Sequence, residues 1–336
     1  MDKKKALARL MPFQMGFLNS AALFAAAKLE VADQLIAGEK PVEEIALAVG
    51  ARTEMLYRIL RFLASQGIFE ERPGRRFALN DAGQLMRTDV EQAYQPFAVA
   101  NTERGLNAAT ELFEAVKTGE IPFVRRFGHH PFETLHKDPA AAALIERGWQ
   151  GVHGPETAAF LEAYDLTGIR TLADIGGGHG DVIVGFLKGD AQRRGVIFDI
   201  PNVAKQVQKR LDAAGLASRC QVVAGDFFKE IPVKADAYFM RHILHDWNDE
   251  ECRTILRNIA AQCRKGDRVL IAECVVKEPN VPDTGKLFDM MMMLFLTGKE
   301  RTEFEYQDLL ESSGFEWVGV TPTDSIISVV EGRFPR

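Results

Sequence analysis

Two rhythms of apolar and polar residues divide the chain near residue 165. Before it, apolar side chains recur mostly at helical spacing. After it, short apolar runs alternate with longer amphipathic stretches. Residues 24–35 carry apolar positions three and four apart, which predicts a helix. Residues 41–50 predict a short helix, with Pro41 near its start and Gly50 past its end. Thr53 is expected to cap a third helix, in which Leu56, Ile59, Leu60 and Leu63 share a face and which Gly67 stops. Residues 68–79, centred on Pro73-Gly74, predict a hairpin. Helix, short helix, helix and hairpin make a winged-helix order, expected over residues 1–100. A helical connector follows over 101–165, broken by Pro122, Pro131, Pro139 and Pro155.

From Thr171 the period changes. Strands are expected at 171–175, 194–199, 220–224, 235–240, 268–273, 315–321 and 326–331, with helices between them. Such alternation predicts an α/β domain over 166–336, a doubly wound Rossmann-like sheet covered on both faces. The last two strands are separated by Pro322-Thr323-Asp324-Ser325. That leaves no room for a crossover helix, so they must form an antiparallel hairpin.

Composition narrows the function. The 336 residues are 46% hydrophobic and 26% charged, with a net charge of −6. An acidic chain of ordinary apolar content suggests a globular protein and argues against nucleic acid as a partner. Arg52, Arg58, Arg61, Arg72, Arg75 and Arg76 are interleaved with Glu43, Glu44, Glu54, Glu70 and Glu71, a mixture more typical of a solvated face than of a phosphate footprint. Four cysteines lack any C-x-x-C spacing. They suggest buried thiols in a reducing compartment, and no metal site is expected. Arg9, Gln14 and Asn19 interrupt the N-terminal apolar run, so neither a signal peptide nor a membrane span is expected and the location is taken as cytoplasmic.

Ligands of an open parallel sheet bind beyond the carboxyl ends of its strands. The first strand leads into Asp174-Ile175-Gly176-Gly177-Gly178-His179-Gly180. The glycine spacing does not fit the dinucleotide fingerprint, whose third glycine would fall on Asp181 or Ile183. Asp199 ends the second strand, placed to accept from a ribose diol or to cap a helix. After the third, Asp226 can accept from an adenine amino group while Phe227 covers the ring; core packing is the plainer role for one of Phe227 and Phe228. After the fourth come Met240-Arg241-His242-Ile243-Leu244-His245-Asp246-Trp247. His245 falls at a strand end facing the crevice, where an imidazole can accept a proton near neutral pH, with Asp246 or a more distant carboxylate to orient it. A metal held by His242, His245 and Asp246 lacks a further ligand at recognisable spacing. Glu273 and Glu300, on later strand-end loops, can hold the ring and favour its charged form. For an acceptor pocket the candidates are Trp149 and His153, four apart on one helix face, and Met290 and Met293 of the Met290–Met293 run; packing is the competing role for all four.

These stretches, with Phe198-Asp199-Ile200-Pro201 and Lys299-Glu300-Arg301-Thr302, occur in an order that resembles the caffeate/acetylserotonin-type family of S-adenosylmethionine (SAM)-dependent small-molecule O-methyltransferases. The resemblance covers nearly the whole chain. It implies that residues 1–100 make a homodimer, and that Asp174, Gly176, Gly178, Asp199, Asp226, Phe227, Arg241 and Trp247 bind SAM, Trp247 covering the adenine. It implies that His245 is the base flanked by Glu273 and Glu300, with S-adenosylhomocysteine (SAH) as product and a phenolic, polyketide or heteroaromatic acceptor. Arg241 stands where many plant members have lysine, and no Asn-Pro-Gly-Gly run precedes Lys299, so a microbial branch of secondary metabolism is expected rather than lignin chemistry. Two alternatives stay open. One is a member that keeps SAM but runs other chemistry; the other is a winged-helix regulator that senses SAM.

Overall fold

A computed structural model describes residues 2–335, apart from the side chains of Leu135, His136 and Lys137. The chain divides into two compact units, Met1–Gly154 and Pro155–Arg336.

The first unit opens with α1 (Lys3–Lys28), followed after Glu30 by a 3₁₀ turn, Val31–Leu35. Glu30 adopts left-handed φ 52°, so the helix expected through residue 35 ends about two turns early, at Lys28. Next come β1 (Lys40–Pro41), α2 (Val42–Ala48), α3 (Thr53–Ser65), β2 (Glu70–Arg72), β3 (Arg76–Ala78) and α4 (Asp81–Leu85). Pro41 precedes α2 rather than starting it, because Lys40 and Pro41 pair with Phe77 and Arg76 of β3. Thr53 likewise is the first residue of α3 and not its cap; Arg52 holds the cap position without a side-chain bond. Leu56, Leu60 and Leu63 are buried as expected, against Ile45, Phe69 and Phe77. The hairpin turns at Gly74 and Arg75, both with positive φ. Its arginines are neutralised nearby: Arg72 by Glu39 and Glu70, Arg75 by Glu43 and Glu54, and Arg76 by Glu39.

Helices α5 (Gln95–Ala109), α6 (Leu112–Thr118), α7 (Pro122–Phe127), α8 (Pro131–Lys137) and α9 (Pro139–Ala163) follow. Pro122, Pro131 and Pro139 each open a helix, where a missing N–H costs nothing. Pro155 does not break the connector but lies inside α9. Before the unit boundary, α9 meets the start of α5 through glycines: a Cβ on Gly151 would overlap the Ala93 carbonyl, and one on Gly148 the Phe97 backbone. Trp149 therefore packs edge-on to Phe97, their ring centroids 5.0 Å apart, and His153 stacks on Trp149.

The second unit contains β4 (Thr171–Ile175), α10 (Asp181–Lys188), β5 (Arg194–Asp199), α11 (Pro201–Ala213), β6 (Cys220–Ala224) and β7 (Ala237–Arg241). It continues with α12 (Asp249–Ala260), β8 (Arg268–Glu273), β9 (Val275–Val276), α13 (Thr284–Phe295), β10 (Arg301–Thr302), α14 (Glu303–Glu311), β11 (Glu316–Pro322) and β12 (Ser328–Arg333). Seven strands form one sheet in the order β11-β12-β8-β7-β4-β5-β6. The inner pairs are parallel, and β12 runs antiparallel to both β8 and β11. The terminal hairpin thus inserts its second strand next to β8. One face packs on Ile255, Leu256, Tyr306 and Leu310 from α12 and α14, the other on Phe160, Ile183, Phe186 and Val207 from α9, α10 and α11. The strand order reverses about β4, which opens a crevice at its carboxyl end.

Candidate active site

The crevice begins at the glycine loop. Gly176, Gly178 and Gly180 have φ of 71°, 51° and 75°, a backbone that side chains other than glycine's rarely adopt. Gly176 N–H bonds to Phe198 O of β5, and a Cβ there would overlap Ile243 in the turn after β7. A Cβ on Gly178 would meet open space instead. The loop is thus fixed on one side and open on the other, a face that a ligand can approach closely.

Asp199, at the end of β5, accepts from Gly178 N–H at 2.9 Å and from Ile200 N–H at 2.7 Å. Its carboxylate ties the second strand end to the glycine loop rather than capping a helix, with Ile200 in the cap position of α11. Asp226, past β6, accepts from Phe228 N–H and lies 3.4 Å from Lys229. Phe227, Phe228 and Trp247 meet edge to face, their centroids 4.7–6.1 Å apart, and Asn258 holds the Phe227 carbonyl. Asp174, 4% exposed in β4, is pushed up to about 7, chiefly by burial, with Arg241 opposing. A cationic ligand near Asp174 would favour its carboxylate. Open glycine backbone, carboxylates at two successive strand ends and an aromatic corner fit the amino-acid, ribose and adenine parts of SAM.

Past β7, His242 takes positive φ 54°, and Leu244–Asp246 form a single 3₁₀ turn before Asn248 caps α12 with both halves of a capping box. This turn puts His245 inside, 6% exposed. Its Nδ1 lies 2.7 Å from Glu300 Oε1, and its Nε2 3.4 Å from Asp246. Burial works against charge on the ring, but the Glu300 hydrogen bond, with Asp246 and Glu273 nearby, outweighs it and raises His245 to about 9. Glu300 is itself held up by burial, and its own N–H donates to Asp289 of α13.

Glu273 departs from the expectation that it holds the ring. Its Oε1 accepts from the N–H groups of Ile243, Leu244 and His245 at 3.0, 2.7 and 3.3 Å, and its Oε2 from the Tyr306 hydroxyl at 2.6 Å. It grips the backbone under His245 and reaches the imidazole only through its charge. Arg241 donates to Thr157 Oγ1 at 2.8 Å and lies 4.0 Å from Glu156. Glu156, 2% exposed, also meets His242 Nε2 at 2.9 Å. Sequence reasoning missed Glu156 because Pro155 suggested a break; an acid and a threonine entering an otherwise apolar helical stretch were the available signal. Tyr306 gave none, since a tyrosine on an amphipathic helix looks like packing. Met292 is the core residue of the methionine run, while Met290 and Met293 are 49% and 37% exposed. Trp149 and His153 lie in the first unit, in the aromatic stack with Phe97.

Comparisons with known proteins identify the family. Residues 11–89 match the O-methyltransferase dimerisation domain, and residues 110–316 the O-methyltransferase domain. The chain is 36% identical over 324 residues to a phenazine O-methyltransferase of Lysobacter antibioticus, covering 96% of this chain and 95% of that one. It is 33% identical to a mitomycin biosynthesis 6-O-methyltransferase of Streptomyces lavendulae, covering 89% and 86%. A methyltransferase of calicheamicin biosynthesis, solved with SAH bound, superposes with a TM-score of 0.90 at 33% identity over the full length of both chains. With both family domains matched, over residues 11–89 and 110–316, the chain belongs to the SAM-dependent O-methyltransferases.

Proposed function

We propose that this enzyme methylates a hydroxyl of a small aromatic acceptor, with His245 as general base and no metal. The observation that carries the reading is the buried His245 Nδ1–Glu300 contact of 2.7 Å at the end of β7, beside the glycine loop. Bound SAM supplies a methyl group on a cationic sulfur, open to in-line attack by an oxygen lone pair. Glu300 accepts from Nδ1–H, so the neutral ring presents the lone pair of Nε2, 3.4 Å from Asp246, to take the acceptor's proton as the oxygen–carbon bond forms and the sulfur–carbon bond breaks. Phenols ionise near pH 10, so a positioned base contributes typically about 10²–10⁴-fold at neutral pH. Holding the oxygen and the methyl close and aligned supplies much of the rest. Asp199 and Asp226 hold the ribose and the adenine, and Phe227 and Trp247 enclose the base. Met290 and Met293, exposed on α13, offer adaptable contacts for a flat ring. The substrates named for the phenazine and mitomycin relatives support a polycyclic or heteroaromatic acceptor of microbial secondary metabolism. The dimerisation domain supports a homodimer, and a cytoplasmic site of action fits such chemistry.

A screen with methyl-labelled SAM over phenols, hydroxyphenazines and hydroxyquinones tests the reading. Label transferred to at least one aromatic hydroxyl, unaffected by a chelator, is expected. SAM binding without transfer to any member would contradict it.

A further inference from the structure

We propose that Arg301 is a positioning residue: its guanidinium fixes the backbone from Leu244 to Trp247, so that His245 and Glu300 keep the register in which their side chains meet. The proposal rests on the reading of His245 and Glu300 as the base and its partner.

Arg301 is fully buried, the largest side chain to be so. A cation in a protein interior needs partners on every donor, and this one has them. Nε and Nη2 donate to Asp249 Oδ1 at 3.0 and 2.8 Å. Nη1 donates to Leu244 O at 3.0 Å and to Lys299 O at 3.3 Å, and Nη2 to Trp247 O at 3.0 Å. Three of these five bonds are therefore to main-chain carbonyls. Those of Leu244 and Trp247 bracket the 3₁₀ turn that carries His245.

The turn is thus gripped at both poles. Glu273 takes its N–H groups, and Arg301 takes its carbonyls. The two grips share one frame, because Arg301 and Thr302 of β10 pair in parallel with Val275 and Val276 of β9, just past Glu273. Sequence adjacency completes the device. Leu244 precedes His245 and Arg301 follows Glu300, so the Leu244–Arg301 bond runs one residue away from the His245–Glu300 bond on both segments. A change in one is felt in the other. At its far end the same fork holds Trp247, the aromatic assigned to the adenine. The five N–H groups of a planar guanidinium reach three carbonyls and a carboxylate at once; an ammonium, with three, cannot make all five bonds. Buried ion pairs often contribute little net stability against an apolar replacement, so fixed geometry is the better account of this one.

The test is Arg301→Lys, which keeps the charge and loses the fork. The groups facing His245 from its surroundings are Glu300, Asp246, Glu273 and the His242 ring at 5.0 Å. Only its contact with Glu300 is expected to loosen. Nitrogen-detected NMR titration of the unliganded protein reads the His245 ring directly, without any need for turnover. In Arg301→Lys the His245 pKa should fall by about one unit or more, in the same direction as in Glu300→Gln, with the circular dichroism unchanged. In turnover, kcat should fall at least tenfold with acceptor KM within about threefold. Added guanidinium at low millimolar concentration should restore part of the kcat of Arg301→Ala. A His245 titration in folded Arg301→Lys that superposes on the wild type would overturn the proposal. The base reading fails separately, if His245→Ala turns over normally while the NMR shift in Arg301→Lys still appears.

Discussion

At the scale of single residues, the proposed chemistry depends on whether the His245 ring holds one proton or two. Raised to about 9, the ring is charged at neutral pH in the free enzyme and must lose its proton before it can act as a base. The sign follows directly. The active fraction is small below this pKa and grows as pH rises through it, and a sulfonium bound nearby, by repelling the imidazolium, moves the rise to lower pH. Turnover at saturating SAM should therefore climb from pH 6 to 9. Glu300→Gln removes the carboxylate that favours the charged ring, so its climb should begin at lower pH while its maximum falls by about 10-fold or more; a pH–rate profile measures both. Asp199 is expected to act on SAM rather than on the acceptor. Asp199→Ala should weaken SAM binding by about 1.5–3 kcal/mol, the usual worth of hydrogen bonds to a charged group. Calorimetry at constant pH measures this, and an unchanged affinity would leave Asp199 only its ties to Gly178 and Ile200.

At the scale of elements, the 3₁₀ turn that carries His245 leaves no slack against the loop before β10. A Cβ on Gly298 would overlap the backbone of His245 and Trp247. Gly298→Ala should therefore displace the turn, with a stability cost of about 1–3 kcal/mol typical of overpacking and a fall in kcat of at least tenfold. Thermal melting and initial rates check both; a variant with unchanged kcat would show that the turn tolerates displacement. The elements that position the site were legible in the sequence to within about two residues, because each strand is an apolar run that ends in a polar or glycine residue. Asp174, Asp199, Arg241 and Glu273 sit where those runs stop. The grips on the turn were not legible. Glu273 was visible as an acid at a strand end, but its target is three backbone N–H groups, which no side-chain pattern announces. Arg301 was visible only as part of a motif, since a buried guanidinium and a surface one look alike in sequence. Local backbone also overrode pattern in the first unit: Glu30 in left-handed geometry cut the predicted helix, and the pairing of Lys40 and Pro41 with β3 moved the start of α2.

At the scale of the whole molecule, α1 stands out. Leu7, Leu10, Met11, Phe13, Met15, Phe17 and Leu18 are all about half exposed or more. By length and composition alone the helix could cross a membrane, with 11% of its most apolar window buried. The dimerisation domain matched over residues 11–89 supports a second copy of this chain as the partner. Light scattering at micromolar concentration should give twice the 37.4 kDa chain mass, and Phe13→Glu should shift it toward the monomer. A monomeric wild type would remove the explanation for the apolar helix. The paired arginines of the hairpin likewise leave little for DNA binding by a SAM-sensing regulator.

On the proposed mechanism, His245 removes the acceptor's proton as the methyl group is transferred. The most direct test compares wild type and His245→Ala on two acceptors of one scaffold, one weakly acidic phenol and one acidic enough to be ionised at the assay pH. A loss of about 10²–10⁴-fold is expected for the weakly acidic acceptor and a much smaller loss for the ionised one, with SAM affinity unchanged. Equal losses for both acceptors, or near-normal turnover of both, would contradict it.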